Sequence, residues 1–232
     1  MSTFALVHGA WHGSWCWERL VPELERRGHR AVAVDLPVDD PAASFTTYAE
    51  VVTRALEGES EDVVVVGHSL GGYPAALVAA ARPVRRLVYL CALVPEPGRS
   101  LADQFRADRE MMVPGYEAGL DPPDELGRSR WVRFDVAWER LFTDCEEADA
   151  RAAFERLRPQ AQAPYPEPFP LPAPPDVPCS SVVCAGDRMV GPEWSRRAAR
   201  ERLGVEVTEL PGGHSPFISR PGELAEVLVR GA

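Results

Sequence analysis

The chain has 232 residues, of which 45% are hydrophobic and 26% are charged, and its formal net charge at pH 7 is −10. This length fits one domain, or one domain with a large insertion, and the composition excludes wholesale disorder. The negative charge argues against nucleic acids and anionic membrane surfaces as partners, because both bind basic surfaces. No apolar run reaches the roughly 18 residues that a membrane span needs, and the first residues lack the basic segment of a signal peptide.

The cysteine and lysine contents exclude several further kinds of site. Five cysteines at irregular spacing favour free thiols in a reducing compartment over a disulfide framework or a zinc site, so we expect a cytoplasmic protein. All 25 basic residues are arginines. Without lysine the chain has no Schiff-base amine, no Walker A loop and no Ser/Lys catalytic pair.

Apolar runs alternate with helical patterns in the first 96 residues. The predicted strands are Thr3–Val7, Ala31–Leu36, Asp62–Val66 and Arg86–Val94. The predicted helices between them are Ser14–Gly28, Thr46–Leu56 and Leu70–Ala81. Continuous apolar runs are typical of strands buried on both faces, so the alternation predicts a parallel sheet with helical crossovers.

The alternation stops after Pro95 and resumes near Pro178. The intervening segment has no clear strand, two helix-like pieces (Ser100–Met111 and Phe134–Leu157), and nine prolines between positions 159 and 178, which predict an extended connector. The elements predicted after it are a strand at Ser180–Ala185, a helix near Glu193–Leu203, a strand at Val205–Leu210 and a helix at Pro221–Arg230. We therefore predict an α/β core made of residues 1–96 and 178–232. Residues 97–177 would form an inserted helical cap that ends in the proline-rich return.

One pattern in the core indicates catalysis. Gly67-His68-Ser69-Leu70-Gly71 fits Gly-x-Ser-x-Gly, directly follows the third predicted strand and directly precedes a helix. That strand–turn–helix context is the context of a nucleophile elbow. The serine at its tip must adopt a strained conformation, and the residues two before and two after it must be small because strand and helix nearly touch. The alternative is a glycine-rich turn in which the serine caps the helix.

A serine nucleophile needs a base, and the base needs an orienting carboxylate. In this type of fold the chain order is serine, acid, histidine. His214 is the one histidine after Ser69, and it lies in a loop after the predicted strand Val205–Leu210. Asp187 follows the preceding strand, which places its carboxylate at the same edge of the sheet. Glu96, after the fourth strand, is the rival acid. We predict a triad of Ser69, Asp187 and His214.

Acyl transfer also needs hydrogen-bond donors aimed at the developing oxyanion. The backbone N–H of Leu70, the residue after the nucleophile, is one predicted donor, and the N–H of Ala10, in the loop after the first strand, is the other. We interpret His8 and His12, in the same loop, as residues that order it.

The cap segment is rich in apolar side chains that are candidates for lining a pocket: Phe105, Met111, Met112, Tyr116, Trp131, Phe134, Trp138 and Phe142. Two further aromatic residues, Trp11 and Tyr73, flank the oxyanion loop and the elbow. From these sets we predict substrate contacts at Trp11, Tyr73, Trp131 and Trp138. Such a lining favours an apolar or aromatic ester of modest size.

The segments that carry these residues resemble the α/β-hydrolase superfamily, within it the branch of plant methylesterases, hydroxynitrile lyases and related bacterial esterases. The matching segments are Val7–Trp17, Gly28-His29, Val34–Leu36, Val66–Gly72, Leu141–Glu147, Gly186-Asp187 and Gly212–His214. The resemblance implies an α/β-hydrolase fold, a sheet of about six mostly parallel strands flanked by helices and bearing a helical cap. It implies the same triad, with Ala10 and Leu70 as the oxyanion hole, and neither a metal nor an organic cofactor.

Two departures bear on the activity that the resemblance implies. Hydroxynitrile lyases carry Thr in the place of Gly9 and Lys directly after the catalytic histidine, where this chain has Ser215. The resemblance therefore implies a serine esterase that cleaves a small apolar or aromatic ester, with methyl esters among the candidates, through an acyl-enzyme. The alternatives are a lyase or cyclase that uses the same His/Asp pair, and a ligand receptor with a hydrolase shape. The expected partner is a small-molecule ester, and the sequence leaves a homodimer open.

Overall fold

The computed structural model describes residues 1–60 and 62–230, and eight strands lie in that part of the chain. They are β1 (Thr3–Val7), β2 (Arg30–Ala33), β3 (Val63–His68), β4 (Arg86–Leu90), β5 (Arg128–Ser129), β6 (Gln160–Ala161), β7 (Cys179–Cys184) and β8 (Val207–Leu210). Six of them form a sheet in the order β2-β1-β3-β4-β7-β8, and every neighbouring pair in it is parallel. This confirms the predicted fold class. β5 and β6 pair with each other, antiparallel, outside that sheet.

The central strands form where the sequence is apolar and β-branched. Every residue of β1 (TFALV) and of β3 (VVVVGH) is buried, as expected of strands covered by helices on both faces. β4 is shorter than predicted, because the backbone turns at Cys91 with φ of 45° and Cys91–Val94 leave the sheet. All six strands are parallel, so their carboxyl ends meet at one edge of the sheet. That edge is where α/β folds place ligands.

Nine α-helices lie in the described residues. They are α1 (Leu20–Arg26), α2 (Phe45–Ala55), α3 (Gly72–Ala81), α4 (Leu101–Ala107), α5 (Phe134–Leu141), α6 (Glu147–Phe154), α7 (Pro192–Ala198), α8 (Pro216–Ser219) and α9 (Pro221–Arg230). None of the described helices combines the length and apolarity needed to cross a membrane.

The first predicted helix, Ser14–Gly28, is divided in the structure. Ser14–Trp17 form a 3₁₀ turn, and α1 begins at Leu20. Pro22 explains the break, because a continuous helix would need an N–H at that position to bond the carbonyl of Glu18. In α1, Pro22 lies in the first turn, where the missing N–H costs nothing.

The segment between β4 and β7 differs from the prediction in two ways. The predicted helix Phe134–Leu157 is two helices, α5 and α6, and Phe142–Glu146 between them is not helical. The segment also contains the strands β5 and β6, although no strand was predicted there. Each has two residues, too short to show a period of hydrophobicity in the sequence.

Candidate active site

The turn between β3 and α3 has the geometry of a nucleophile elbow. Ser69 has φ of 52°, a region that residues with a side chain seldom occupy. A β-carbon on Gly67 would lie 2.7 Å from the β-carbon of Ala75, and one on Gly71 would lie 2.6 Å from the carbonyl oxygen of His8. A larger residue at Gly67 would force β3 and α3 apart, and one at Gly71 would push the elbow away from the end of β1. The two glycines therefore permit the close approach that holds Ser69 at the tip.

His214 and Asp187 lie together at the same edge of the sheet. His214 Nδ1 is 2.8 Å from Asp187 Oδ2, and the two side chains are only 1% and 2% exposed. The other carboxylate oxygen, Oδ1, accepts hydrogen bonds from the backbone N–H groups of Met189 (2.8 Å) and Val190 (3.1 Å), which fixes its orientation. A histidine that donates Nδ1–H to a carboxylate keeps Nε2 as the basic nitrogen.

The rival acid, Glu96, is engaged elsewhere. Its Oε2 accepts a hydrogen bond from Arg99 Nη1 (2.9 Å) and lies 3.5 Å from Arg202 Nη2. Its carboxylate therefore belongs to an arginine cluster, whereas that of Asp187 contacts the imidazole of His214.

His68 connects the elbow to the histidine loop, residues 211–215 between β8 and α8, which carries His214. Its Nε2 lies 2.9 Å from the carbonyl oxygen of His214, and the two ring centroids are 4.6 Å apart. Ser69 is thus the sequence neighbour of a residue that hydrogen-bonds His214. Among the described residues, Ser69 Oγ makes no hydrogen bond to His214. Contacts between a nucleophile and its base often shorten only when substrate binds.

The loop after β1 lies against the nucleophile. A β-carbon on Gly9 would lie 2.8 Å from the β-carbon of Ser69, so a side chain there would displace the loop or the serine. Ala10 and Leu70, the two predicted oxyanion donors, line the same cavity as Ser69. The structure therefore places both residues beside Ser69.

Three buried histidines order these loops. His8 accepts a hydrogen bond from the Leu36 N–H at Nε2 (3.0 Å), so its Nδ1 carries the proton and donates to the Gly9 carbonyl (2.9 Å). His12 Nδ1 lies 2.8 Å from the Ala10 carbonyl. Burial lowers the pKa of His8 to about 4 and that of His12 to about 3, and it holds the pKa of His68 well below its ordinary value. All three are neutral at pH 7, which agrees with the interpretation of His8 and His12 as loop-ordering residues.

Asp144, in the break between α5 and α6, is a residue that sequence reasoning missed. Its Oδ1 accepts a hydrogen bond from the backbone N–H of Gly213 (2.9 Å), next to His214, and its Oδ2 pairs with Arg220 Nη2 (2.7 Å). It lies inside the matching segment Leu141–Glu147. The sequence there carries no sign of a partner about seventy residues away.

A cavity of about 340 Å³ opens beside Ser69, between the sheet edge and residues 97–177, the segment predicted to form the cap. Of the four predicted aromatic contacts, Trp11 lines it. Three further residues from the apolar set of the cap also line it, namely Phe105, Met112 and Tyr116.

The other three predicted contacts do not line this cavity, which corrects the prediction. Tyr73 is fully buried, and its hydroxyl accepts a hydrogen bond from Gln104 Nε2 (2.6 Å). Trp131 packs edge-on against Trp11, with ring centroids 5.7 Å apart. Trp138 donates its indole N–H to the Cys145 carbonyl (3.2 Å) and stacks on a neighbouring ring of its own helix. Trp131 and Trp138 therefore pack against other aromatic rings instead of lining the cavity.

The described residues contain no group of three or more His, Cys, Asp or Glu side chains placed to hold a metal ion.

Comparisons with known proteins agree with this geometry. Relatives include a carbendazim hydrolyzing esterase from Nocardioides sp. (30% identical, covering 98% of both chains) and Methylesterase 2 from Arabidopsis thaliana (28% identical, covering 97% of this chain and 94% of that one). Among solved structures, a pyrethroid hydrolase from Sphingobium faniae superposes with a TM-score of 0.80 (25% identical, covering 99% and 96%). Polyneuridine aldehyde esterase shares the fold with a TM-score of 0.86 (24% identical, covering 99% and 98%).

The sequence model of the alpha/beta hydrolase family matches residues 4–227, and the chain belongs to that family. Its relatives place it in the branch that contains plant methylesterases and bacterial esterases. It is a carboxylic ester hydrolase.

Proposed function

We propose that this enzyme cleaves its ester through an acyl-enzyme, with Ser69 as nucleophile, His214 as general base and Asp187 as the acid that orients the base. The observation that carries the proposal is the buried hydrogen bond between His214 and Asp187, at the sheet edge where Ser69 occupies the tip of the elbow. A neutral imidazole held by a carboxylate is the group that can accept a serine proton.

The steps follow from this arrangement. The Ser69 hydroxyl attacks the ester carbonyl while its proton passes to His214 Nε2. The N–H groups of Ala10 and Leu70 stabilise the oxyanion that forms. His214 then returns the proton to the departing alcohol, which leaves the acyl group on Ser69. Water attacks that acyl group by the same route and releases the acid.

The substrate proposed is a small apolar or aromatic ester, with methyl esters among the candidates. A cavity of about 340 Å³ lined by Trp11, Leu93, Leu101 and Phe105 has room for a modest acyl group and favours an apolar one. The names of the relatives, a methylesterase among them, support a simple alcohol as the leaving group. We also propose that residues 97–177 act as the cap that encloses this group.

The test is turnover of p-nitrophenyl acetate, butyrate and octanoate by the wild type and by Ser69→Ala. We expect Ser69→Ala to lose at least about 10³-fold in kcat/KM, because no other group can form the acyl-enzyme. Ser180→Ala is the matched control, since Ser180 lies near the amino end of β7, and it should retain full activity. Turnover that survives Ser69→Ala would contradict the proposal and favour a lyase-like reaction.

A second pair of variants tests the choice of acid. Asp187→Asn should lose roughly 10³–10⁴-fold in kcat, because an amide cannot hold the imidazole in the reactive tautomer. Glu96→Gln should change activity by less than about threefold, because its carboxylate contacts arginines rather than His214. The reverse ranking would assign the orienting role to Glu96.

A further inference from the structure

The cavity beside Ser69 is lined unequally by the two parts of the chain. The core contributes apolar side chains and the serine itself, whereas the cap contributes every charged or hydrogen-bonding side chain apart from Ser69 and Trp11. The polar residues of the cap wall are Tyr116, Glu117, Asp121, Ser129, Gln162 and Tyr165. Two of these carry negative charge, and no arginine is among the residues that line this cavity.

Neither carboxylate is neutralised by the rest of the described chain. Glu117 and Asp121 form no ion pair with any described residue. Asp121 Oδ1 accepts one hydrogen bond, from the backbone N–H of Arg130 (2.6 Å). Arg109 lines an adjoining surface pocket together with Glu117, but it is exposed and makes no ion pair with it. This wall of the cavity therefore carries two carboxylates that have no ion-pair partner among the described residues.

Two hydroxyl groups on the same wall lack partners. Ser129, in β5, is 3% exposed, and its Oγ makes no hydrogen bond within residues 1–60 and 62–230. The Tyr165 hydroxyl, which also lines the cavity, makes none within those residues either. Burial raises the pKa of Tyr165, so its hydroxyl keeps its proton. Most buried hydroxyls in proteins are hydrogen-bonded, so the free hydroxyl of the buried Ser129 is available to a ligand in the cavity, and that of the half-buried Tyr165 lies on the same wall.

We propose that the substrate is an ester whose acyl part is apolar next to the ester group and carries a cationic nitrogen, a protonated amine or a quaternary ammonium, at the far end that enters the cap. The inference rests on the proposed function, since a small alcohol leaves the acyl part to fill the cavity. Glu117 and Asp121 attract the cation, and the faces of Phe105 and Tyr116 are suited to contact it. An acyl group ending in a carboxylate is disfavoured, because no basic side chain lines the cavity to receive it.

Three p-nitrophenyl esters of matched length test this: 4-(trimethylammonio)butyrate, its neutral carbon isostere 5,5-dimethylhexanoate, and the anionic half-ester of glutarate. We expect kcat/KM to fall in that order, with the cationic ester favoured over its isostere by about tenfold at low salt. The preference should shrink as salt is added, because both carboxylates are near solvent.

A pair of charge-matched double variants locates the effect. Glu117→Gln combined with Asp121→Asn should bring the ratio of cationic to neutral ester close to one, while the amide oxygen introduced at position 121 can still accept the Arg130 N–H. The control, Glu125→Gln with Asp135→Asn, removes the same charge from cap residues outside the cavity and should leave that ratio unchanged. The melting temperature of each variant verifies folding.

The outcomes separate the two proposals. If the cationic ester is no better than its isostere while turnover still depends on Ser69, the substrate inference is wrong and the proposed function stands. If turnover of the neutral ester is indifferent to Ser69→Ala, the proposed function itself is wrong. A control variant that lowers the ratio as much as the cavity variant would also overturn the inference, since the preference would then come from net charge alone.

Discussion

Ser69, Trp11 and Cys91 are the three described non-glycine residues with positive φ, at 52°, 62° and 45°. They follow β3, β1 and β4, so all three lie at the carboxyl edge of the sheet. Each such residue costs on the order of 1–3 kcal/mol and persists only where the surrounding structure over-determines it. Here the buried central strands provide that constraint, and the strain is concentrated at the candidate active site.

Close packing behind the elbow gives a test at one residue. A β-carbon on Gly72, the first residue of α3, would overlap the Leu93 carbonyl oxygen. Helix propensity alone favours alanine there, but the overlap is with backbone, which cannot rotate away. We expect Gly72→Ala to lower the free energy of unfolding by about 1–3 kcal/mol, measured by urea denaturation.

Gly222→Ala is the control for that variant. Gly222 is also near the start of a helix, α9, but the nearest atoms to its β-carbon belong to the Glu23 carboxylate at 3.8 Å or more. We expect it to be neutral or stabilising by up to about 1 kcal/mol. Equal stability of both variants would show that α3 and the Leu93 loop can separate at little cost.

At the scale of elements, the break between α5 and α6 joins the cap to the histidine loop. Asp144 bonds the Gly213 N–H and Arg220 at once, so a turn of the cap holds the backbone beside His214. A base misplaced by about 1 Å can cost up to about 10²-fold in rate. We therefore expect Asp144→Ala to lower kcat by roughly 10- to 100-fold with a smaller change in KM, measured on p-nitrophenyl butyrate.

Another pairing between cap and core serves as the comparison. Asp149, on α6, accepts a hydrogen bond from Arg19 Nη1 (2.7 Å), but the side chains of Arg19 and Asp149 are 50% and 32% exposed. The other bond of Arg19 is to the Ile218 carbonyl in α8 rather than to the histidine loop. Exposed ion pairs contribute about 0–1 kcal/mol, so Asp149→Ala should leave kcat within about twofold of the wild type. If both variants lose activity equally, attachment of the cap in general, rather than the Gly213 contact, is what matters.

For the molecule as a whole, the buried histidines set how stability depends on pH. His8, His12 and His68 all have a pKa lowered by burial in the folded state, to about 4 for His8 and about 3 for His12. In the unfolded chain each takes up a proton near pH 6.5, which the folded chain cannot do. The stability that they contribute is complete well above pH 6.5, and it is lost as the pH falls toward the folded pKa values.

We expect this to appear as a steep fall in unfolding free energy between pH 6.5 and 5.5, measured by urea denaturation. Each histidine contributes at most about 1.4 kcal/mol per pH unit. Because it is only half protonated in the unfolded chain at pH 6.5, the three together contribute about 3 kcal/mol over this interval. Carboxylates remain ionised in both the folded and the unfolded state over this range, so they do not contribute to the slope of unfolding free energy against pH. His12→Phe, in a site already lined by aromatic rings, should reduce the slope by about a third. A flat profile would mean that these histidines are protonated in the fold.

The sequence by itself determined the parallel core. Strands covered on both faces must be continuously apolar, and β1, β3, β4 and β7 lie within a few residues of the runs that show this pattern. It also brought Asp187 and His214 to one edge, because parallel strands end on the same side and each residue follows a strand. That order also left Glu96 as a rival acid, and the hydrogen bond from His214 to Asp187 in the structure is what distinguishes the two.

Only the tertiary structure decided the cap and the contents of the cavity. Whether Trp131 or Tyr116 lines the cavity depends on how distant segments of the chain pack, and neither position carries a local sign of the outcome. The bond from Asp144 to Gly213 and the placement of Glu117 and Asp121 on one cavity wall are likewise contacts between segments with no local signature. Short-range patterns fix which face of an element is buried, whereas the identity of its neighbour is decided by the packing of the whole chain.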